Sequence, residues 1–348
     1  MPAMTSAEVK QAARACGFDL AGISSADPPV EADAFARWLA RGYAGEMGYL
    51  YGRRAAMRAD VRTLLASARS VISLGLLYNT PLPYSTEWDD PERGWISRYA
   101  WGEDYHEVMR KKMEELVRGL LAATSFDWKI CVDTSAILER AYAQRAGLGW
   151  IGHNTCLINQ QIGSWVFLGE VLTSLQLEPD SPAPFRCGTC RRCIEACPTQ
   201  ALVSNPDSEG PAYELDARLC ISYWNIELRG AIPEEHREQM GGQVFGCDIC
   251  QDVCPWNRRN RTTGDPAFSP EWYGPPLEKL ASITEQEFTE MFRHSPIRRT
   301  RYSGFLRNVA VAMGNSGEQR FRAPLQRLAA SADSLVREHA LWALHQLA

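Results

Sequence analysis

The chain has no apolar run approaching the ~18 residues that a membrane-spanning helix needs. Its opening stretch, MPAMTSAEVKQAARACGFDL, lacks the basic-then-apolar order of a secretory signal. The expectation is a cytoplasmic protein without a membrane partner, its thiols kept reduced. Eleven cysteines among 348 residues then argue for metal or redox chemistry rather than disulfide staples. Lysine is absent from residues 291–348, where nine arginines stand against three acids. That segment carries +6, whereas the rest, with 28 basic and 39 acidic residues, carries −11. A basic end on an acidic body suggests contact with a polyanion; a solvated helical surface is the plainer alternative. At 45% hydrophobic, the chain can build two or three domains with cores of their own.

The cysteines fall into two runs. Cys187, Cys190, Cys193 and Cys197, followed by Pro198, form C-x2-C-x2-C-x3-C-P. This is the run by which bacterial ferredoxins wrap iron–sulfur clusters, and a zinc ribbon would need two separated pairs instead. The second run, CDICQDVCPWN, supplies Cys247, Cys250 and Cys254 and lacks one thiol, for which Cys220 is the substitute. The set supplies the eight thiolates of two 4Fe-4S clusters. In two-cluster ferredoxins the fourth cysteine of a run ligates the other cluster. By that rule Cys187, Cys190, Cys193 and Cys254 hold one cluster, and Cys197, Cys220, Cys247 and Cys250 the other. Cys16, Cys131 and Cys156 are left as buried, inert thiols. Two adjacent clusters form an electron wire, whose terminus must lie elsewhere in the chain.

Before the clusters the pattern mixes helices and strands. Residues 5–16, 31–41, 104–124 and 135–147 read as helices, and 70–79, 128–134 and 164–177 as strands. This is a layered α/β-type domain. EPDSPAPF (178–185) marks a boundary, and helices return after residue 266, where a unit of HEAT-repeat length closes the chain. Arg293, Arg298, Arg299, Arg301 and Arg307 would offer phosphate contacts there; a helical cap on the cluster module is the other reading. The organisation expected is residues 1–178, 179–265 and 266–348.

The densest motif outside the cysteines is CVDTSAILERAYAQRAGLGWIGHNT. Asp133 ends a strand and precedes a helix, where catalytic groups gather and where helix N-caps also occur. To give a proton, Asp133 needs a raised pKa; a helix N-terminus pushes the other way. Gly147, Gly149 and Gly152 match the letters of a dinucleotide fingerprint but follow a helix, so they read as a tight turn near a ligand. Asp104-Tyr105-His106 begins a cobalamin-domain signature, Asp-x-His-x-x-Gly, that fails at Met109.

SRYAWGEDYH, VDTSAILERAYAQRAGLGWIGHNT, GSWVFLGEVLT, CGTCRRCIEACPTQAL, CISYWNIE, FGCDICQDVCPWN and NVAVAMGNSG together resemble the epoxyqueuosine reductase family, in order across residues 58–317. The resemblance implies an α+β multidomain fold: a nitroreductase-like cobalamin-binding domain, a ferredoxin-like domain with two 4Fe-4S clusters, and a HEAT-like helical domain that helps hold tRNA. It implies reduction of the epoxide of epoxyqueuosine to queuosine at the tRNA wobble position, fed by an unidentified electron donor. Asp133 stands at the family's catalytic aspartate, beside the corrin, and Arg58, Ser97, Asn154 and Ser164 stand at positions lining it. His153 replaces a lysine common in relatives, and Ser97 a cysteine found in some, so a thiol above cobalt is no shared requirement. The alternatives are a cobalamin-dependent reductive dehalogenase, a flavin-dependent reductase and a non-catalytic ferredoxin-type electron carrier.

Overall fold

The computed structural model describes residues 4–207, 211–258 and 261–348. Its strands, in chain order, are β1 (Leu20–Ser25), β2 (Ser70–Leu77), β3 (Trp95–Ile96), β4 (Trp128–Cys131), β5 (Trp150–Ile151), β6 (Leu157–Ile158), β7 (Val166–Thr173), β8 (Leu202–Ser204), β9 (Tyr213–Leu215) and β10 (Gln243–Phe245). Its helices are α1 (Ser6–Ala15), α2 (Glu31–Ala40), α3 (Arg53–Ala59), α4 (Tyr105–Ala123), α5 (Glu139–Arg145), α6 (Arg192–Ala196), α7 (Glu234–Arg237), α8 (Ile249–Asp252), α9 (Leu277–Ser282), α10 (Glu285–Met291), α11 (Arg301–Asn315), α12 (Arg322–Ala329) and α13 (Ser334–Gln346).

The N-terminal half is built on one antiparallel sheet, ordered β1-β2-β7-β4. β2 is buried along its whole length, as an apolar run must be when both faces of a sheet are covered. α1 and α4 pack on one face and α5 on the other. α4 turns Val108, Met109, Met113, Leu116, Val117 and Leu120 inward, at the i, i+4 spacing that the sequence shows. Each such buried side chain contributes roughly 1.5–3 kcal/mol. Asp104 caps α4, its carboxylate accepting the N–H of His106 at 3.0 Å. On the α5 face Gly22 has no side chain because a Cβ there would meet the Ala146 carbonyl oxygen at 2.1 Å.

The cluster module is clasped to this half by two aspartates of α8 and its cap. Asp248, adjacent to Cys247, accepts hydrogen bonds from Ser97 Oγ, from the N–H of Arg98 at 2.8 Å and from Trp95 Nε1 at 3.1 Å. Asp252 accepts from the N–H of Ser85 at 2.9 Å. β3 pairs with β10, so residues 95–101 share a core with the cluster module and with α11. Asp180 still belongs to the first half: it accepts from the N–H of Ile23 at 2.8 Å and pairs with Lys10 at 2.6 Å. Phe268 packs into the sheet's core from beyond the cluster module.

α11 is buried from Gly304 to Gly314 and forms the centre of the C-terminal unit, with α12 and α13 around it. Arg307 shows that this unit is docked rather than free. It is 1% exposed and donates to the carbonyls of Trp224, Leu228 and Gly230. The expected phosphate contact at Arg307 is thereby overturned, because its guanidinium is spent inside the protein. Among the described residues no helix is long and apolar enough to cross a membrane.

Candidate active-site cavity and cluster loops

A cavity of about 630 Å³ opens between the sheet domain, the β8–β9 hairpin and the start of the C-terminal region. Its walls include Phe35, Trp38, Ile137 and Leu138, and its polar groups include Arg54, Arg58, Asp133, Glu139, Arg140 and Arg299. Largely apolar walls with a few convergent polar groups are the marks of a small-molecule or cofactor site.

Asp133 stands on this cavity, but not as a helix cap. β4 ends at Cys131 and α5 starts at Glu139, and the N-cap of α5 is Leu138, which makes no side-chain cap. Asp133 instead occupies an irregular loop with φ of +44°, and the N–H of Thr134 bonds the carbonyl of Val132 across it at 2.5 Å. A left-handed aspartate is uncommon, and such strain persists only where the surroundings hold it. Three groups do so here. The N–H of Asp133 donates to Glu139 Oε1 at 2.5 Å. His106 Nε2 lies 3.1 Å from Asp133 Oδ2, and Arg299 lies 3.7 Å from the same oxygen.

His106 is held from its other side as well. Its Nδ1 lies 2.7 Å from Asp104 Oδ1, and its ring stacks on Tyr105. Burial alone would lower the imidazole's pKa, but the two carboxylates outweigh it and raise it to about 9. Burial pushes Asp133 up, and His106 and Arg299 more than offset that, holding it below the usual carboxylate range. At neutral pH the proton of the pair therefore resides on His106, which settles the balance that a helix N-terminus leaves open in the sequence. Glu139 goes the other way: burial first, then the charge of Asp133, raise it to about 8.

Sequence reasoning named Asp133 and Arg58 on this cavity and missed His106, Glu139 and the true place of Arg299. The failed Asp-x-His pattern was the available signal for His106: its aspartate caps α4 and also orients the histidine. Arg299 reaches Glu227 at 2.8 Å and Tyr49 Oη at 3.1 Å inside the cavity. Arg58 is buried beside it, with its guanidinium 6.0 Å from the centre of the Phe35 ring. Ser97, Asn154 and Ser164 do not line this cavity. Each is buried and bonded to the cluster module: Ser97 to Asp248, Asn154 to the carbonyl of Cys250 at 3.4 Å, Ser164 to Gln251 at 2.8 Å. The glycine block also turns toward protein. A Cβ at Gly149 would meet the Ile158 carbonyl oxygen at 2.3 Å, and one at Gly147 the Ser181 carbonyl oxygen at 2.8 Å. These glycines let the β5–β6 ribbon and the boundary segment close on one another.

The eight cysteines gather in two groups. Cys187, Cys190, Cys193 and Cys254 surround a void of about 40 Å³, with His153, Asn154 and Trp256. Trp150 Nε1 donates to Cys187 Sγ at 3.4 Å. Cys197 lies near enough to Cys220 and Cys247 to add to the burial that raises their thiol pKa values, and Cys250, raised first by its contact with Cys156 and by burial, lies close to Cys247 and Cys220 as well. The N–H of Ala201 donates to Cys197 Sγ at 3.3 Å. Among the described residues no three or more Cys, His, Asp or Glu are grouped to hold a single metal ion. Four thiols spread around one void suit the corners of a polynuclear cluster. Of the remaining cysteines, Cys131 is buried and pushed up to about 12 by burial, an inert thiol, whereas Cys156 lies against Cys250.

Known proteins match this architecture along its whole length. A family model described as "4Fe-4S double cluster binding domain" matches residues 186–257, and one described as "Epoxyqueuosine reductase QueG, DUF1730" matches residues 58–134. The epoxyqueuosine reductase of Xanthomonas campestris is 39% identical over 99% of this chain and 97% of its own. That of Pseudomonas aeruginosa is 40% identical over 99% of this chain and 95% of its own. Among solved structures, an epoxyqueuosine reductase bound to an epoxyqueuosine-modified tRNA stem loop superposes with a TM-score of 0.88 at 30% identity, covering 98% of this chain and 89% of that one. The Bacillus subtilis enzyme, solved with its catalytic aspartate loop swung out of the active site, gives 0.86 at 29% identity, covering 98% and 90%.

Proposed function

The chain belongs to the epoxyqueuosine reductase family, and from that premise we infer how its parts divide the family's reaction. It is an oxidoreductase that reduces the epoxide of epoxyqueuosine to the alkene of queuosine in tRNA, and it acts in the cytoplasm. The observation that carries the assignment of parts is the ionic chain Asp104–His106–Asp133, which reaches the cavity through Asp133, together with the thiols grouped around a separate void. In this reading residues 1–178 are the nitroreductase-like corrin domain, 179–265 the ferredoxin-like wire and 266–348 the HEAT-like platform for tRNA.

The cavity fits cobalamin by its chemistry. Phe35, Trp38, Ile137 and Leu138 suit a macrocycle, and Arg54, Arg58 and Arg140 suit its amide and phosphate periphery. Bound cobalamin would supply a reduced cobalt centre able to deliver electrons to an epoxide carbon. Cys187, Cys190, Cys193 and Cys254 hold one 4Fe-4S cluster and Cys197, Cys220, Cys247 and Cys250 the other, as in ferredoxins. Ser97, Asn154 and Ser164 serve the corrin indirectly, by fixing the cluster module against its domain.

Asp133 delivers a proton to the departing epoxide oxygen and takes it from His106. Asp104 keeps the imidazole oriented, and Arg299 keeps the carboxylate in place. The exposed Arg293, Arg298 and Arg301 beside Arg299 bind the phosphates of the anticodon stem loop. The test is anaerobic incubation of cluster-loaded protein with cobalamin, a reductant and an epoxyqueuosine-containing tRNA stem loop, read by nucleoside mass spectrometry. Queuosine is the expected product; its absence from fully loaded protein overturns the assignment.

A further inference from the structure

Turning an epoxide into an alkene consumes two electrons and two protons. Both carbon–oxygen bonds break and the oxygen leaves as water. One proton makes the ring oxygen a hydroxyl; a second lets that hydroxyl depart. The electrons come from the clusters, and the pair His106–Asp133 holds one proton. A second acid on the same floor is required.

We propose that Glu139 is this second acid, giving its proton to the departing hydroxyl, with Glu170 behind it as a buried proton store. This rests on the reaction assigned above. Glu139 lines the cavity as the first residue of α5. Its Oε1 accepts the N–H of Asp133, so the two carboxyl groups are tied to one spot on the floor and Oε2 remains to carry a proton. Glu170 lies on β7, opposite Ser73 of β2 and Cys131 of β4. It is 0% exposed, and neither of its oxygens has a hydrogen-bond partner among the described residues; Ser73 Oγ, cross-strand from it, and Ser24 Oγ, farther across the sheet on β1, also lack one. A row of polar groups without partners, under the helix that carries Glu139, is a place for protons rather than for charge.

The surrounding groups agree. Glu139 faces Asp133 from its loop, His106 from α4, Arg140 from its own helix, Arg58 from α3 and Glu170 from β7. Burial and the charge of Asp133 raise its pKa to about 8. Burial, then Glu139, keep Glu170 protonated well above the usual carboxyl range. The resting site at neutral pH thus holds both protons before substrate arrives.

The test joins infrared spectroscopy of the loaded enzyme without substrate to single-turnover kinetics with the modified stem loop. Wild-type protein at pH 7 is expected to show, beside any band from the buried Asp248 and Asp252, two carbonyl bands of protonated carboxyl groups, one lost in Glu139→Gln and the other in Glu170→Gln. Glu139→Gln should slow single turnover about 10²-fold and abolish the fall in rate near pH 8, with KM for the stem loop unchanged. Glu139→Asp should restore part of the rate. A Glu139→Gln enzyme with wild-type rate and pH profile overturns the proposal, as does a wild-type spectrum without the bands. The bands do not depend on turnover, so failure of this proposal is distinguishable from failure of the assigned reaction.

Discussion

His106 Nε2 and Asp133 Oδ2 meet at 3.1 Å across 27 residues of sequence, and the far side of the same imidazole meets Asp104 at 2.7 Å. A cation gripped by two carboxylates is a stored proton with a fixed exit, since only Asp133 of the two faces the cavity.

His106→Gln keeps a hydrogen-bonding side chain and removes the proton. Turnover should fall about 10²-fold with cluster absorption unchanged. In the wild type the protonated form persists up to about pH 9, so the rate should decline as pH rises through that value, and the variant should lose this limb. The folded pKa lies above the unfolded one. The pair therefore contributes its full stability below about pH 6.5 and loses it as pH rises through about 9.

Asp133→Asn preserves the left-handed turn, because asparagine tolerates positive φ. It cannot pass a proton. The variant should fold, load both clusters and bind cobalamin, yet lose turnover by ~10²–10⁴-fold, and Asp133→Ala should lose a similar factor. Rapid-quench product analysis measures this directly. Wild-type rates in either would remove Asp133 from the chemistry.

Glu170→Gln should stabilise the protein in alkaline solution. The folded carboxyl keeps its proton well above the usual range, while the unfolded one releases it at its usual pKa. The folded state then binds more protons, and stability falls as pH rises by up to roughly 1.4 kcal/mol per unit. Glutamine removes that loss. The unfolding midpoint of the variant should exceed that of wild type at pH 8, with the gap closing toward pH 4. An equal midpoint at both pH values would show that Glu170 is ionised or hydrated in the fold.

Alanine at Arg293, Arg298 and Arg301 should weaken stem-loop binding and reduce its salt slope by about one unit per arginine. Arg307→Ala should act differently. It leaves the carbonyls of Trp224, Leu228 and Gly230 unpaired, each worth about 1–3 kcal/mol, and should lower stability without altering the salt slope. Fluorescence titration across salt, with thermal unfolding alongside, separates the two.

The parts of this enzyme that are written locally could be read locally. The cysteine runs announce two clusters because most thiols of each come from one short loop, and the thiols around the void are those that ferredoxin spacing puts together. α4 was visible in its period to within a residue of each end. The charged group around Asp133 was not, because it is assembled from distant pieces: Asp104 caps α4 and His106 lies in its first turn, Asp133 sits in the loop before α5 and Glu139 opens that helix, and Arg299 comes from the far end. Composition also cannot distinguish a surface arginine from a buried one. Arg298 and Arg307 stand in the same basic segment, yet the first is exposed and the second is turned inward from α11 and buried. Glycine spacing likewise shows a close approach without revealing what approaches, and here it was the chain itself.

Asp248 follows the cluster ligand Cys247 directly and holds Trp95, Ser97 and Arg98 at once. Tunnelling rates fall steeply with every ångström of separation. This carboxylate thus shares in holding the iron centres at a fixed distance from the reacting pocket, and loosening it would throttle current without disturbing a single ligand.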